Sequence, residues 1–123
     1  MSIIESAVSL VLGRPLPSDR MPYQGIPDGV VLREGRLLPK LGGWLARMPR
    51  PAAAVTLGRT IIVHPEARLT DSLLRHELAH VRQWSEVPLF ALRYTTETLR
   101  HGYRQNAYER EAREAEASTG IYP

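Results

Sequence analysis

The chain has 123 residues, 43% of them hydrophobic and 24% charged, with no cysteine. That fits one domain around one core, excludes disordered, collagen-like and coiled-coil classes, and rules out disulfide frameworks, thiolate zinc fingers, iron–sulfur clusters and cysteine nucleophiles. Sixteen basic against thirteen acidic residues leave a net charge of +3, but arginines alternate with acids and never form a run of five or six, which predicts a solvated surface and no nucleic-acid partner.

At the N-terminus, Met1 to Glu5 carry an acid and no base, the wrong sign for the start of a signal peptide. No apolar run reaches the roughly 20 residues that span a bilayer, so a soluble, cytoplasmic protein with no membrane span is expected. Ser2 to Leu12 suit a short helix with Ile3, Ala7, Leu10 and Val11 on one face, ended by Gly13 and Pro15. Seven of the ten prolines fall in residues 1–51, which predicts an irregular N-terminal part of a single domain spanning 1–123. One strand is expected there, Val30 to Arg33, before a turn at Glu34-Gly35, with Trp44 and Leu45 anchoring the segment onto the core. The proline-rich stretch from Arg14 to Pro51 is long for a connector and is a candidate to drape over a cleft and restrain activity.

Sharper signals run through 52–118. Ala53 to Leu57 and Thr60 to Val63 flank Gly58-Arg59 and read as a β-hairpin. His64 before Pro65 reads as a turn histidine. Thr70 or Asp71 can cap a helix running to about Ser85, with Pro88 beyond its end. A second helix is expected over Leu89 to Arg100, broken at Gly102. A third, capped by Asn106, carries Tyr108, Ala112 and Ala115 on one face and stops before Gly120.

Within the first of these helices stands His76-Glu77-Leu78-Ala79-His80. Histidines at i and i+4 project from one side of a helix, one turn apart, so both imidazoles can reach one ion; nitrogen ligands at about 2.0–2.1 Å suit zinc. Glu77 lies beside the pair, placed to take a proton from a water activated by that ion. A third ligand is needed. The three aspartates all precede His80, and the positions where a metzincin carries its turn glycine and third histidine hold Gln83 and Glu86. Glu86 shares the helix and cannot curl back, which leaves Glu97, Glu109, Glu111, Glu114 and Glu116.

His-Glu-x-x-His on one helix followed by Glu-x-x-Ala on a later one resembles the gluzincin branch of zincin metallopeptidases, and more narrowly small single-domain zinc peptidase-like proteins. The resemblance covers Thr60 to Ala117. It implies an α+β, zincin-like fold with a small antiparallel sheet packed on the active helix, one Zn2+ per chain, and a peptide or unfolded-protein substrate. Glu109-Arg110-Glu111-Ala112 matches the second motif, so the resemblance implies Glu109 as third ligand, with Glu111 the alternative. Arg113 stands where many gluzincins carry an aspartate that orients a ligand histidine, so Glu116, a backbone carbonyl or water must take that role. His101 and Tyr103 are candidates to stabilise an oxyanion; Trp44, Trp84 and Phe90 read as core. By analogy substrate would add a strand to a free edge of Thr60, Ile61, Ile62 and Val63, unless Val30 to Arg33 closes it. Metal-dependent peptide hydrolysis is the leading expectation, and a non-catalytic zinc-stabilised scaffold or interaction domain is the alternative. The oligomeric state is not legible.

Overall fold

The computed structural model describes residues 2–22 and 25–117. Helix α1 (Ile3–Leu12) starts with a capping box: Ser2 Oγ accepts from Glu5 N–H, and the Glu5 carboxylate accepts from Ser2 N–H, both at 3.0 Å. It ends at Gly13, whose positive φ and close approach to the Glu34 carbonyl leave no room for a Cβ. The two-residue strand β1 (Arg14–Pro15) pairs antiparallel with β2 (Val31–Glu34), and β2 pairs parallel with β4 (Thr60–Val63), the second strand of a hairpin with β3 (Ala54–Leu57).

The sheet is therefore mixed, in order β1-β2-β4-β3, not the wholly antiparallel one expected. Both edges of β4 are taken, by β2 on one side and β3 on the other, so Thr60, Ile61, Ile62 and Val63 cannot receive a substrate strand. Ile61, Ile62 and Val63 are fully buried, as an interior strand covered on both faces requires. The free edge near the helices belongs to β3.

Strand β2 also begins one residue later than expected and runs one residue past its expected end, into the expected turn, and the alternation of a strand then sends Leu32 and Glu34 inward. Glu34 is tolerated there because Arg20 Nη1 donates to it at 2.6 Å and Arg14 Nη2 at 3.0 Å, while Arg20 also donates to the carbonyls of His64 and Ala67. These two guanidinium groups hold the Glu34 carboxyl below the usual range.

The expected irregular segment contains a second helix, α2 (Leu37–Leu45). Pro39 falls in its first turn, where the missing N–H has no intrahelical partner to lose. Gly42 and Gly43 let it approach the sheet and the returning chain: a Cβ at 42 would lie 2.8 Å from Val55 Cγ1, and one at 43 would lie 2.6 Å from the Arg50 carbonyl. Trp44 and Leu45 do not anchor the segment; they are 73% and 64% exposed, because the small residues, not the large ones, face the sheet.

Helix α3 (Asp71–Glu86) is capped by Thr70 Oγ1, which accepts from Leu73 N–H. It buries Leu74, Leu78 and Val81 against Leu32, Ala54, Ile61 and Val63. After Pro88, Leu89 adopts a left-handed conformation and starts α4 (Phe90–Gln105), which breaks at Gly102 (φ 79°) as expected. Asn106 then caps α5 (Ala107–Glu116), its Oδ1 accepting from Tyr108 and Glu109 N–H. α5 lies against α3 through Ala79, Ala112 and Ala115, alanines that let two helices come close.

Candidate metal centre

That close packing brings His76 and His80 of α3 face to face with Glu109 of α5. Their candidate ligand atoms all lie within 4.8 Å of one another; His80 and Glu109 are buried, and the His76 side chain is 12% exposed. His76 Nε2 is 3.0 Å from Glu109 Oε1, and His80 Nε2 is 3.0 Å from Glu109 Oε2. Glu109 is the third α5 residue after its cap, and the cap itself is pinned: Asn106 Nδ2 donates to Tyr94 O and Thr98 Oγ1 of α4. The ligand carboxylate is thus fixed by a buried amide that the sequence marks only as a helix start.

The outer nitrogens of both imidazoles have partners. Gln83 donates through Nε2 to Tyr108 O and Glu111 Oε1, at 3.0 and 2.9 Å, which turns its Oε1 toward His80 Nδ1 at 2.8 Å. An amide oxygen only accepts, so His80 carries a proton on Nδ1, which leaves Nε2 as the nitrogen that can bind either a proton or a metal. His76 Nδ1 faces Glu116 Oε2 at 3.5 Å, and Glu116 is held in turn by Ser72 Oγ and, at its carbonyl, by Arg75. Glu116, one of the groups considered for the orienting place, is thus the acid that faces His76. Gln83 was missed; its signal was its position, three residues after His80 on the same helix. Glu111 lies outside the cluster, accepting from Arg82 and Gln83, and Glu97 accepts from Ala107 N–H.

Burial opposes charging of either imidazole, but hydrogen bonding to Glu109 and the nearby Glu77 charge outweigh it, raising His76 and lifting His80 to about 9. Burial likewise works against the Glu109 carboxylate, yet the two imidazoles and Tyr94 hold it well below the usual range. Tyr94 was not singled out by sequence; its hydroxyl donates to Glu109 Oε2 at 2.6 Å. Burial and the Glu109 charge push both Tyr94 and Tyr103 far above an ordinary phenol, so both stay protonated.

Glu77 is buried, and burial raises its pKa despite the neighbouring imidazoles and a hydrogen bond from Thr56. Thr56 Oγ1 donates to Glu77 Oε1 at 2.8 Å, and Trp84 Nε1 donates to the Thr56 carbonyl at 3.1 Å. A cavity of about 380 Å³ opens over these groups, bordered by His76, Glu77, His80, Tyr94, Tyr103 and Glu109. Its apolar walls are Leu38, Leu41 and Met48 on the α2 side and Trp84 and Phe90 opposite, so part of the proline-rich segment does flank the cleft. Phe90 is core, while Trp84 is half-buried in the cavity wall. His101 stands apart, half exposed and 3.8 Å from Glu97. His64 is a buried turn residue whose Nδ1 accepts from Glu66 N–H.

A model of the eCIS core domain, a domain of the zincin-like metallopeptidase type, matches residues 47–88. The match takes in β3, β4 and α3 with both histidines and Glu77, and stops short of α5 and Glu109. Neither the curated proteins nor the solved structures contain a match to the chain.

Proposed function

We propose that the chain is a zincin-like, zinc-dependent peptidase of the gluzincin type. The observation that carries this reading is the convergence of His76, His80 and Glu109 beside a buried Glu77 at one open cavity. The donor set fits zinc. With His80 Nδ1–H turned to Gln83, its Nε2 faces a carboxylate oxygen 3.0 Å away, a position that a proton fills in the metal-free site and that a cation can take in its place. Two imidazoles and one carboxylate make a three-ligand set of the kind that leaves a coordination position for chemistry.

The chemistry zinc supplies in such a set is Lewis acidity, lowering the pKa of water toward 7 and polarising a peptide carbonyl. Glu77 takes the proton of the attacking water and delivers it to the leaving amine, its basicity raised by burial. Tyr103, protonated and bordering the cavity, donates to the oxyanion. Substrate enters as an extended peptide along β3. The bond from His64 N–H to the Ala53 carbonyl continues the hairpin ladder, and its alternation turns the main-chain groups of Ala54 and the Thr56 N–H away from β4, toward the cleft, while the Thr56 carbonyl on that side is taken by Trp84. The apolar walls suit apolar side chains beside the scissile bond.

An ion at this site would also tie α5 to α3, which favours a zinc-stabilised scaffold as the second reading. One experiment separates the two: zinc content and cleavage of an unstructured protein by wild type and Glu77→Gln. The peptidase reading expects equal zinc and loss of cleavage in the variant. Zinc binding with no cleavage by either protein supports the scaffold, and absence of zinc from both overturns the metal centre.

A further inference from the structure

We infer that Thr56 is the positioning residue for Glu77, orienting its carboxylate from the edge strand; its consequence for turnover rests on the peptidase reading above. Glu77 has a long side chain whose terminal torsion is broad and roughly two-fold, so membership of α3 alone does not fix which oxygen meets the cavity. Thr56 supplies what the helix lacks. Its hydroxyl donates to Glu77 Oε1 at 2.8 Å, while the same carboxylate also borders the cavity.

The donor is itself held. A β-branched side chain is stiff at χ1, so the direction of the hydroxyl follows from the strand backbone. That backbone is tied to α3 a second time by the Trp84 indole, which donates to the Thr56 carbonyl at 3.1 Å. Glu77 and Trp84 stand on the same helix on either side of His80, and both meet one strand residue. The edge that receives substrate and the carboxylate that takes the proton are thereby held in a single register. A displacement of about 1 Å in a reacting group can cost on the order of 100-fold in rate.

The test compares Thr56→Val, which keeps the branched shape and removes the hydroxyl, with Thr56→Ser, which keeps the hydroxyl. The first readout needs neither metal nor turnover: the infrared band of the Glu77 carboxyl, isolated as the difference between the zinc-free protein and its E77Q form. It should shift in T56V and return to the wild-type position in T56S. The second is the kinetics of the zinc-loaded proteins on a quenched fluorescent peptide. In T56V, kcat should fall about 10- to 100-fold with KM within about twofold of wild type and zinc content unchanged; T56S should recover most of it. An unmoved band in T56V, or a T56V enzyme with wild-type kcat, overturns the inference. A band that moves in a protein whose wild type cleaves nothing supports the contact and refutes the peptidase reading alone.

Discussion

Replacing Gln83 with leucine tests how the candidate metal centre is tuned. Leucine matches glutamine closely enough in volume to keep the packing of a residue only 2% exposed, but it removes all three polar contacts. Glu111 keeps its bond from Arg82 and is half exposed, so it resolvates. The Tyr108 carbonyl retains its place in the α5 backbone ladder. The loss therefore falls on His80, whose Nδ1–H has no other acceptor among the described residues. Without that acceptor, nothing holds a proton on Nδ1, and neutral His80 keeps its single proton on Nε2, donating to Glu109 Oε2, 3.0 Å away. That tautomer satisfies the metal-free site and blocks the lone pair a metal requires. The metal-free fold should lose only about 1 kcal/mol, the net worth of one hydrogen bond. Zinc affinity should fall about 10- to 100-fold, the usual effect of removing an orienting partner, or about 1.4–2.7 kcal/mol. Competition against a chromogenic chelator gives the zinc Kd, and urea unfolding in EDTA gives the stability. A folded Gln83→Leu protein that binds zinc as tightly as wild type would refute the reasoning.

Other tests address the ligands, the buried ion cluster and α2. His76→Ala, His80→Ala and Glu109→Ala should each abolish tight binding of one zinc per chain, whereas Glu111→Ala, outside the cluster, should weaken it far less; chelator titration reads the order, and a reversal would move the ligand along α5. Glu34 has its folded pKa depressed by Arg20 and Arg14, so its contribution to stability is full above its unfolded value of about 4.5 and is lost as the pH falls through the lower folded value. Glu34→Gln should therefore flatten the acid limb of stability against pH in urea melts, and an unchanged slope would remove the cluster from the account. Gly43→Ala places a Cβ 2.6 Å from the Arg50 carbonyl and should cost about 1–3 kcal/mol by forcing α2 off the returning chain; a neutral effect would contradict the packing of that helix.

What the sequence made legible was what is locally encoded. Thr70, the unbroken apolar spacing of Leu74, Leu78 and Val81, and Asn106 mark α3 and α5 by their own chemistry, and Gly58-Arg59 between β-branched runs marks the hairpin. The helix α2 was hidden because Pro39, Gly42 and Gly43 read as breakers, although one is harmless in a first turn and the others serve close approach. Pairing of β2 parallel to β4 spans a crossover through α2 and β3, and nothing local in Val31 to Glu34 announces a partner so far along the chain. In the site, the helical spacing gave His76, Glu77 and His80 directly, and the second motif pointed to Glu109. Gln83, Tyr94 and Thr56 escaped because their roles depend on which elements meet in space, not on neighbours in sequence.

The alanines between α3 and α5 carry a further implication for how this protein tolerates change. Ala79, Ala112 and Ala115 bear no functional group, yet the distance between the two imidazoles and their carboxylate is set by how little space these methyl groups fill. In a saturation mutagenesis screen scored by zinc retention, Ala79 and Ala112 should thus be nearly as intolerant as the ligands themselves, and enlargement should be the forbidden direction. A seam of the smallest side chains thus limits which substitutions this packing can absorb.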